Sequence, residues 1–368
     1  MGRAPVEQAS FPQLSGGHGA DVCVVGLGGS GLTAVHALLD QGARVIGIDA
    51  RQVASGAAGR NGGLLLAGLA PFYHDAVRLL GRDRAKAFYL ATIQEQERVA
   101  AATPGHVRRT GSLRIADGHG EGEDCAAQRA AMEDDGLPVE GHDGPFGVGL
   151  RFPTDMCFNP LARTRALSSQ AAARGAALFE NSAAIEITAE GVRTELGAVN
   201  ADRIIVAVDG GLDRLLPELG DRVRTARLQM LGTEPARDVT LQAPMYLRYG
   251  YEYVQQLESG TIALGGFRDR FEAVEWTQES SPTVEIQELL EEFLRARIGT
   301  KAAITHRWAA SVGYSSGPLP VFEQVRGGVI ALGGYSGTGN LVGALAGRAA
   351  AAWAMGGSSP ELDLFRPE

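Results

Sequence analysis

The sequence is poor in lysine: Lys86 and Lys301 are its only two, beside 32 arginines. Chemistry that needs a catalytic lysine therefore has two candidates. Cysteine is scarce as well, and Cys23, Cys125 and Cys157 are odd in number, far apart and without the paired spacing of a zinc site. That usage suits a reducing compartment, and no metal site is expected. No apolar run approaches the roughly 20 residues of a membrane-spanning helix, and residues 1–20 lack the apolar centre of a secretory signal. Residues 1–20 are expected to form a flexible tail on a soluble, cytoplasmic protein. Basic charge is in deficit too: 34 Lys and Arg against 43 Asp and Glu give a formal charge of −9, which repels phosphate backbones and anionic lipid. A nucleic-acid partner is disfavoured on that ground.

Glycine, by contrast, is in excess, with 50 among 368 residues, about twice the usual share of roughly 7 %. The glycines follow no three-residue period, and Val, Ile, Leu and Ala are plentiful between them, so neither a collagen helix nor disorder explains them. The length fits two domains or one large α/β body, and no internal repeat or low-complexity linker is visible.

The first glycine cluster follows a β-branched run, Asp21 to Val25. Gly26, Gly28 and Gly31 form GxGxxG: the first permits a tight turn, the second close approach of a pyrophosphate, the third packing of the next helix on the strand. That helix is predicted over Gly29 to Gln41, its N-terminal NH groups, with Gly29 and Ser30, facing the pyrophosphate. A second strand, Ala43 to Ile48, ends in Asp49, 23 residues beyond Gly26, where a ribose-binding acid belongs, with Ala50 and Arg51 beside it. Strand, glycines, helix, strand and acid in this order predict a dinucleotide site. NAD and FAD share the signature, so an NAD(P)-dependent Rossmann dehydrogenase stays open at this point.

The next segment, Ala54-Ser55-Gly56-Ala57-Ala58-Gly59-Arg60-Asn61-Gly62-Gly63, is a run of small residues that lets backbone approach a large ligand. With the upstream motif it resembles the D-amino-acid oxidase superfamily of FAD enzymes, in the style of the amine-oxidising branch that contains gamma-glutamylputrescine oxidase. The resemblance implies an α/β fold: a Rossmann-like FAD-binding domain of the GR2/DAO type with a discontinuous mixed-sheet α+β substrate domain. The FAD-binding domain would take 21–71, 147–224 and 301–368, and the substrate domain 72–146 and 225–300. It further implies that Ser55, Gly59, Arg60, Asn61, Gly62 and Gly63 lie along the flavin and pyrophosphate. A helix opened by Asn159 as N-cap and Pro160 precedes a predicted strand, which the resemblance implies would set Ala183 and Ala184 against the adenine. The stretch Ile204 to Gly211, with Ala207, resembles the family's stretch that closes over the pyrophosphate. Finally, the strand Val329 to Leu332 leads into a Gly-rich turn. There Gly334, Tyr335, Ser336, Gly337, Thr338, Gly339 and Asn340 would meet the pyrimidine end of the flavin, where negative charge accumulates on reduction. Noncovalent FAD is expected, because the C-terminal segment has no cysteine to carry a link.

Three residues depart from the amino-acid oxidases. Asp209 replaces a usual Gly, as a polar residue often does in the amine-oxidising branch, and Thr338 replaces a common His. Val312 falls where those enzymes carry the arginine that clamps the substrate α-carboxylate, and valine cannot bind a carboxylate. The substrate is then an amine without that carboxylate beside the reacting carbon, or its acid is held by another arginine, for which Arg248 and Arg268 are the candidates.

The substrate half opens with a helical stretch over Tyr73 to Ala102. Met245 to Val254 is predicted as one strand paired with Thr261 to Phe267 across Glu258-Ser259-Gly260, with Tyr249, Tyr251 and Tyr253 on one face. The implied activity is oxidation of a C–N bond of a small amine by hydride transfer to flavin N5, giving an imine, with oxygen or another acceptor taking the electrons. The cofactor carries the hard step, so Arg60, Asn61, Tyr251 and Trp308 are expected to position, and Arg248, Tyr249, Tyr251, Arg268, Tyr314 and Tyr335 to meet substrate. A D-amino-acid or glycine oxidase-type enzyme with a relocated arginine is the alternative from the same fold.

Overall fold

The structure, a computed structural model, describes residues 10–366. At its centre the strand Gly16–Val25 runs parallel to Val45–Ile48 on one side and to Gly197–Val206 on the other. Ala177–Phe179 continues the parallel sheet beyond Val45–Ile48. On the far edge of Gly197–Val206, the small hairpin Glu186–Ile187 and Gly191–Arg193 lies along the first half and Val329–Gly333 along the second. Inner parallel strands are covered on both faces, which is why Val22 to Val25 and Val45 to Ile48 are buried without alternation. The helices Gly29–Asp40, Pro160–Ala173 and Val342–Ala354 cover one face. Two of them touch closely, since a Cβ on Gly347 would lie 2.3 Å from the Ser30 carbonyl oxygen.

The expected tail needs correction. Over residues 10–20 the chain is built into the fold: Leu14 is fully buried, and Gly16 to Ala20 pair with Gly197 to Ala201. The pairing runs through backbone groups of glycine-rich sequence, which leaves no side-chain signal. Residues 1–9 of that tail lie outside the described residues.

The second sheet has eight strands and is mixed. Its order is Ile304–Ser315, Val223–Pro235, Thr261–Gly265, Glu252–Gln256, Met245–Leu247, Ser112–Ile115, Gly147–Phe152, Glu140–Gly144. The pair Met245–Leu247 and Ser112–Ile115 is parallel and the others antiparallel. Thus 147–152 and 304–315, expected on the nucleotide side, belong to this sheet, as does Val223–Pro235 from its first residue. Two further expectations are revised. The stretch 73–102 is two helices, Tyr73–Leu80 and Arg82–Ala102, broken at Gly81 with φ +80°. The tyrosine strand is also broken. Arg248 and Tyr249 take positive φ (+45° and +59°), so Met245–Leu247 turns back on Glu252–Gln256 as a hairpin. Tyr249, Tyr251 and Tyr253 therefore do not share one strand face.

A third sheet, Leu64–Leu65, Met156–Phe158 and Val107–Arg109, joins the two halves. Beside it the buried Asp155 carboxylate accepts from Ala67 N (2.9 Å), Ser112 Oγ (2.6 Å) and Gln96 Nε2 (2.8 Å), pinning three segments together. Burial outweighs these donors and pushes its carboxyl up to about 6. The folded state thus holds this proton more tightly than the unfolded chain, and stability is lost as pH rises from the unfolded value toward 6. The loss is about 3 kcal/mol between about pH 4 and about pH 6 and constant above. Urea unfolding across that range should show this slope in the wild type and not in Asp155→Asn.

Candidate active site

Gly26 has φ +95°, and the sharp turn it makes brings the loop against the next strand. A Cβ there would lie 2.7 Å from the Ala207 oxygen, and one on Gly31 would lie 1.9 Å from the Gly26 oxygen. The helix Gly29–Asp40 begins with no side-chain cap and no acid in its first turn, and a Cβ on Gly29 would meet nothing within 4 Å. Its positive end opens onto free space, which fits an anionic group. Asp49 stands at the end of the second strand. One of its oxygens accepts from Leu27 N (2.9 Å) and the other from Arg51 N (3.0 Å); burial raises its carboxyl above the ordinary value. Ser182 N donates to the Asp49 carbonyl (2.8 Å), which carries Ala183 and Ala184 to the same place. Those two alanines lie in an extended link between strands, not in a strand as expected. Ala50 and Arg51 are exposed beside them.

The small-residue run folds back on itself. Ala54 has φ +69°, and a Cβ on Gly59 would lie 2.1 Å from its carbonyl oxygen. Ser55 closes the turn, its NH donating to Gln52 O (3.1 Å). Buried Glu180 accepts from Val53 N (2.7 Å) and holds this loop to the first sheet. Arg60 and Trp308 interlock: Arg60 Nη1 donates to Ala309 O (3.1 Å) and Trp308 Nε1 to Arg60 O (2.8 Å). Asn61 donates to Ala57 O and Ala58 O, and its Oδ1 accepts from Gly63 N (2.8 Å) and Asn340 Nδ2 (3.2 Å). The two glycine clusters, far apart in sequence, thus meet. Gln255 closes the other side, its Nε2 donating to Gly62 O (2.6 Å) and Phe158 O (2.9 Å).

The C-terminal turn hangs on Asp209. Its carboxylate accepts from Gly334 N (3.0 Å), Tyr335 N (3.1 Å) and Gly313 N (3.0 Å), tying the turn at Gly334 and Tyr335 to the strand at Gly313; burial raises its carboxyl and these amides oppose the rise. Ser336 N donates to Gly313 O (2.9 Å) and Thr338 N to Tyr335 O (3.0 Å). Among the described residues the amides of Gly337, Gly339 and Asn340 make no such bond, so they are available to an acceptor. Tyr335, expected to touch substrate, does not point that way. Its ring is 5 % exposed, in the core under the last long helix, against Gly339 and Gly343.

On the substrate side the arginines separate. Arg248 makes four bonds at 2.6–3.0 Å to Glu252 and Asp269, which hold its guanidinium and raise its basicity. Tyr249 is 53 % exposed, turned toward Phe72 (ring centroids 6.0 Å apart). Arg268 instead lies among aromatic rings, with its guanidinium carbon 4.8 Å from the Tyr314 centroid, 5.0 Å from Trp276 and 5.8 Å from Tyr251, and its buried Nη1 has no partner. Tyr314 in turn bridges through its backbone to Tyr335 at the C-terminal turn. Asp209, Glu180, Gln255 and Trp276 were not among the expected site residues. Asp209 was marked by its polarity at a strand end; the other three leave no local pattern.

An open helix end, an acid at a strand end, a folded small-residue loop and an amide-rich turn are the parts a dinucleotide site requires. Residues 21–353 match the FAD dependent oxidoreductase family, DAO. The chain belongs to this family. FAD is accordingly its cofactor, which sets aside the NAD(P) alternative. Among DAO relatives, the chain is 28 % identical over 398 residues to the probable oxidoreductase OrdL of Rhizobium meliloti, covering 98 % of this chain and 88 % of that one. It is 25 % identical over 412 residues to the gamma-glutamylputrescine oxidoreductase of Escherichia coli, covering 97 % and 88 %. In fold it is similar to the glycine oxidase of Geobacillus kaustophilus, with TM-score 0.77 and 17 % identity over 93 % of this chain and 96 % of the other. No helix among the described residues is long and apolar enough to cross a membrane.

Proposed function

We propose that this DAO oxidoreductase oxidises the C–N bond of a small amine that also carries a carboxylate, and that Arg268 grips that carboxylate. FAD, when bound, supplies the hydride acceptor that turns the amine into an imine. The chain's own residues bind and orient. Gly26, Gly28, Gly29, Ser30 and Gly31 take the pyrophosphate, Asp49 the ribose, Ala183 and Ala184 the adenine. The Arg60–Gly63 and Gly334–Asn340 segments hold the flavin between them. Arg60 and Trp308 act by tying their two segments together, through Ala309 O and Arg60 O, and Asn61 by fixing the turn from Ala57 to Gly63. Tyr251, Trp276 and Tyr314 wall the substrate space, exclude water and take its alkyl part.

One observation carries this reading: Arg268 is partly buried against Tyr314, its buried Nη1 has no partner and it enters no ion pair with a described carboxylate, while Val312 offers no charge and Arg248 is already paired. A guanidinium with no carboxylate partner and an open N–H donor in an aromatic setting suits a carboxylate. The E. coli relative acts, by its name, on gamma-glutamylputrescine, an amine whose carboxylate lies far from the amine end. The test is anaerobic mixing of the purified yellow protein with three sets of amines: amino acids, amines with a remote carboxylate, and plain polyamines. Flavin bleaching by carboxylated amines is expected. Bleaching by plain polyamines alone would overturn the role of Arg268, and bleaching by none would overturn amine oxidation. Readmitted air then shows whether oxygen accepts the electrons.

A further inference from the structure

The segment 266–283 lies across the strands Val223–Pro235 and Ile304–Ser315 like a strap. Six of its residues, Glu272, Ala273, Val274, Glu279, Ser281 and Pro282, are exposed. Glu275, between the exposed stretches, is fully buried at 0 % exposure. Its carboxylate receives both arms of Arg227 (Nη2 at 2.7 Å, Nε at 3.0 Å) and Gln229 Nε2 at 3.2 Å. The same two partners reach the end of the strap: Arg227 Nη1 donates to Ser281 O (3.1 Å), and Gln229 exchanges bonds with Thr283. Arg227 and Gln229 are themselves buried.

A buried ion pair is a poor source of net stability, since apolar residues of similar size serve as well. Its distinctive effect is that only one arrangement satisfies both charges. Here that arrangement fixes the residue that follows. Trp276 lies between Arg224 (4.1 Å) and Arg268 (5.0 Å) and meets the Tyr314 ring edge-on at 5.5 Å. We infer that Glu275 is a positioning residue for substrate recognition, and that its pair with Arg227 holds the strap so that Trp276 and Arg268 form the substrate wall. The effect on substrate rests on the proposed function; the hold on the strap does not.

The test uses the FAD-loaded enzyme. In Glu275→Gln, KM for the bleaching amine is expected to rise about tenfold or more with kcat within about threefold, because orientation suffers rather than chemistry. FAD content stays at the wild-type level, and limited trypsin cuts first after Arg268 or Arg270, in the strap, far sooner than in the wild type. Should Glu275→Gln fail to fold, Arg227→Lys, which keeps the charge and loses the two-armed grip, is expected to give the same pattern more weakly. Wild-type KM with a loosened strap would overturn positioning. So would an undisturbed strap, or FAD loss with cleavage throughout the chain, the mark of a purely structural role. If no amine is turned over at all, the proposed function fails, while the trypsin pattern still decides whether Glu275 holds the strap.

Discussion

Arg268→Met is expected to lower kcat/KM for carboxylated amines by a hundredfold to a thousandfold. A two-armed guanidinium–carboxylate contact supplies about 3–4 kcal/mol, which corresponds to that range. Because the grip is present in the bound substrate and in the transition state alike, most of the loss should appear in KM. Methionine keeps the length and apolar packing between Tyr251, Trp276 and Tyr314, so fold and FAD content should persist. Steady-state kinetics with a carboxylated amine and its amide analogue measures the effect, and the analogue should be nearly insensitive to the substitution. Arg248→Met provides the contrast: it strands the buried Glu252 carboxylate and should act on stability rather than on discrimination between the two amines.

Gly31→Ala is expected to weaken FAD binding by up to about a hundredfold. Its Cβ would enter to 1.9 Å from the Gly26 carbonyl oxygen, which is backbone and cannot swing aside. The turn and the start of the helix must separate, and with them the amides that face the pyrophosphate. Overpacking of this kind costs about 1–3 kcal/mol, up to about a hundredfold in FAD affinity even when the fold survives. Quenching of flavin fluorescence in an FAD titration measures it. Gly29→Ala, where the new methyl meets only open space, should leave the fold intact and so separates a steric effect on the ligand from strain in the turn.

The nucleotide side was legible because its chemistry is local in sequence. A strand, a turn with fixed glycines, a helix and an acid follow one another, and Asn159 caps its helix through Ala162 N as a short-range rule requires. The substrate side was less legible because its order depends on contacts between distant residues. Nothing near Arg248 announces that Asp269 will pair with it, or that the hairpin turn at Tyr249 will break the alternation of tyrosines. Tyr335 illustrates the same limit, since its aromatic ring is equally compatible with a pocket wall and with the core beneath a helix. Gly339 and Gly343 decide for the core by leaving room for it. Asp209 stood out in sequence, but its role as acceptor for the turn at Gly334 and Tyr335 and for the strand at Gly313 needed the topology.

Oxidation of an amine at the bound flavin is tested most directly by one anaerobic single turnover. The purified protein, loaded with FAD, is mixed with an excess of the best bleaching carboxylated amine, and the carbonyl compound formed on hydrolysis of the imine is quantified. One equivalent of carbonyl product per flavin, appearing with loss of the yellow colour, is the expected result. Bleaching without carbonyl product, or no bleaching by any amine in protein that binds FAD, would contradict it.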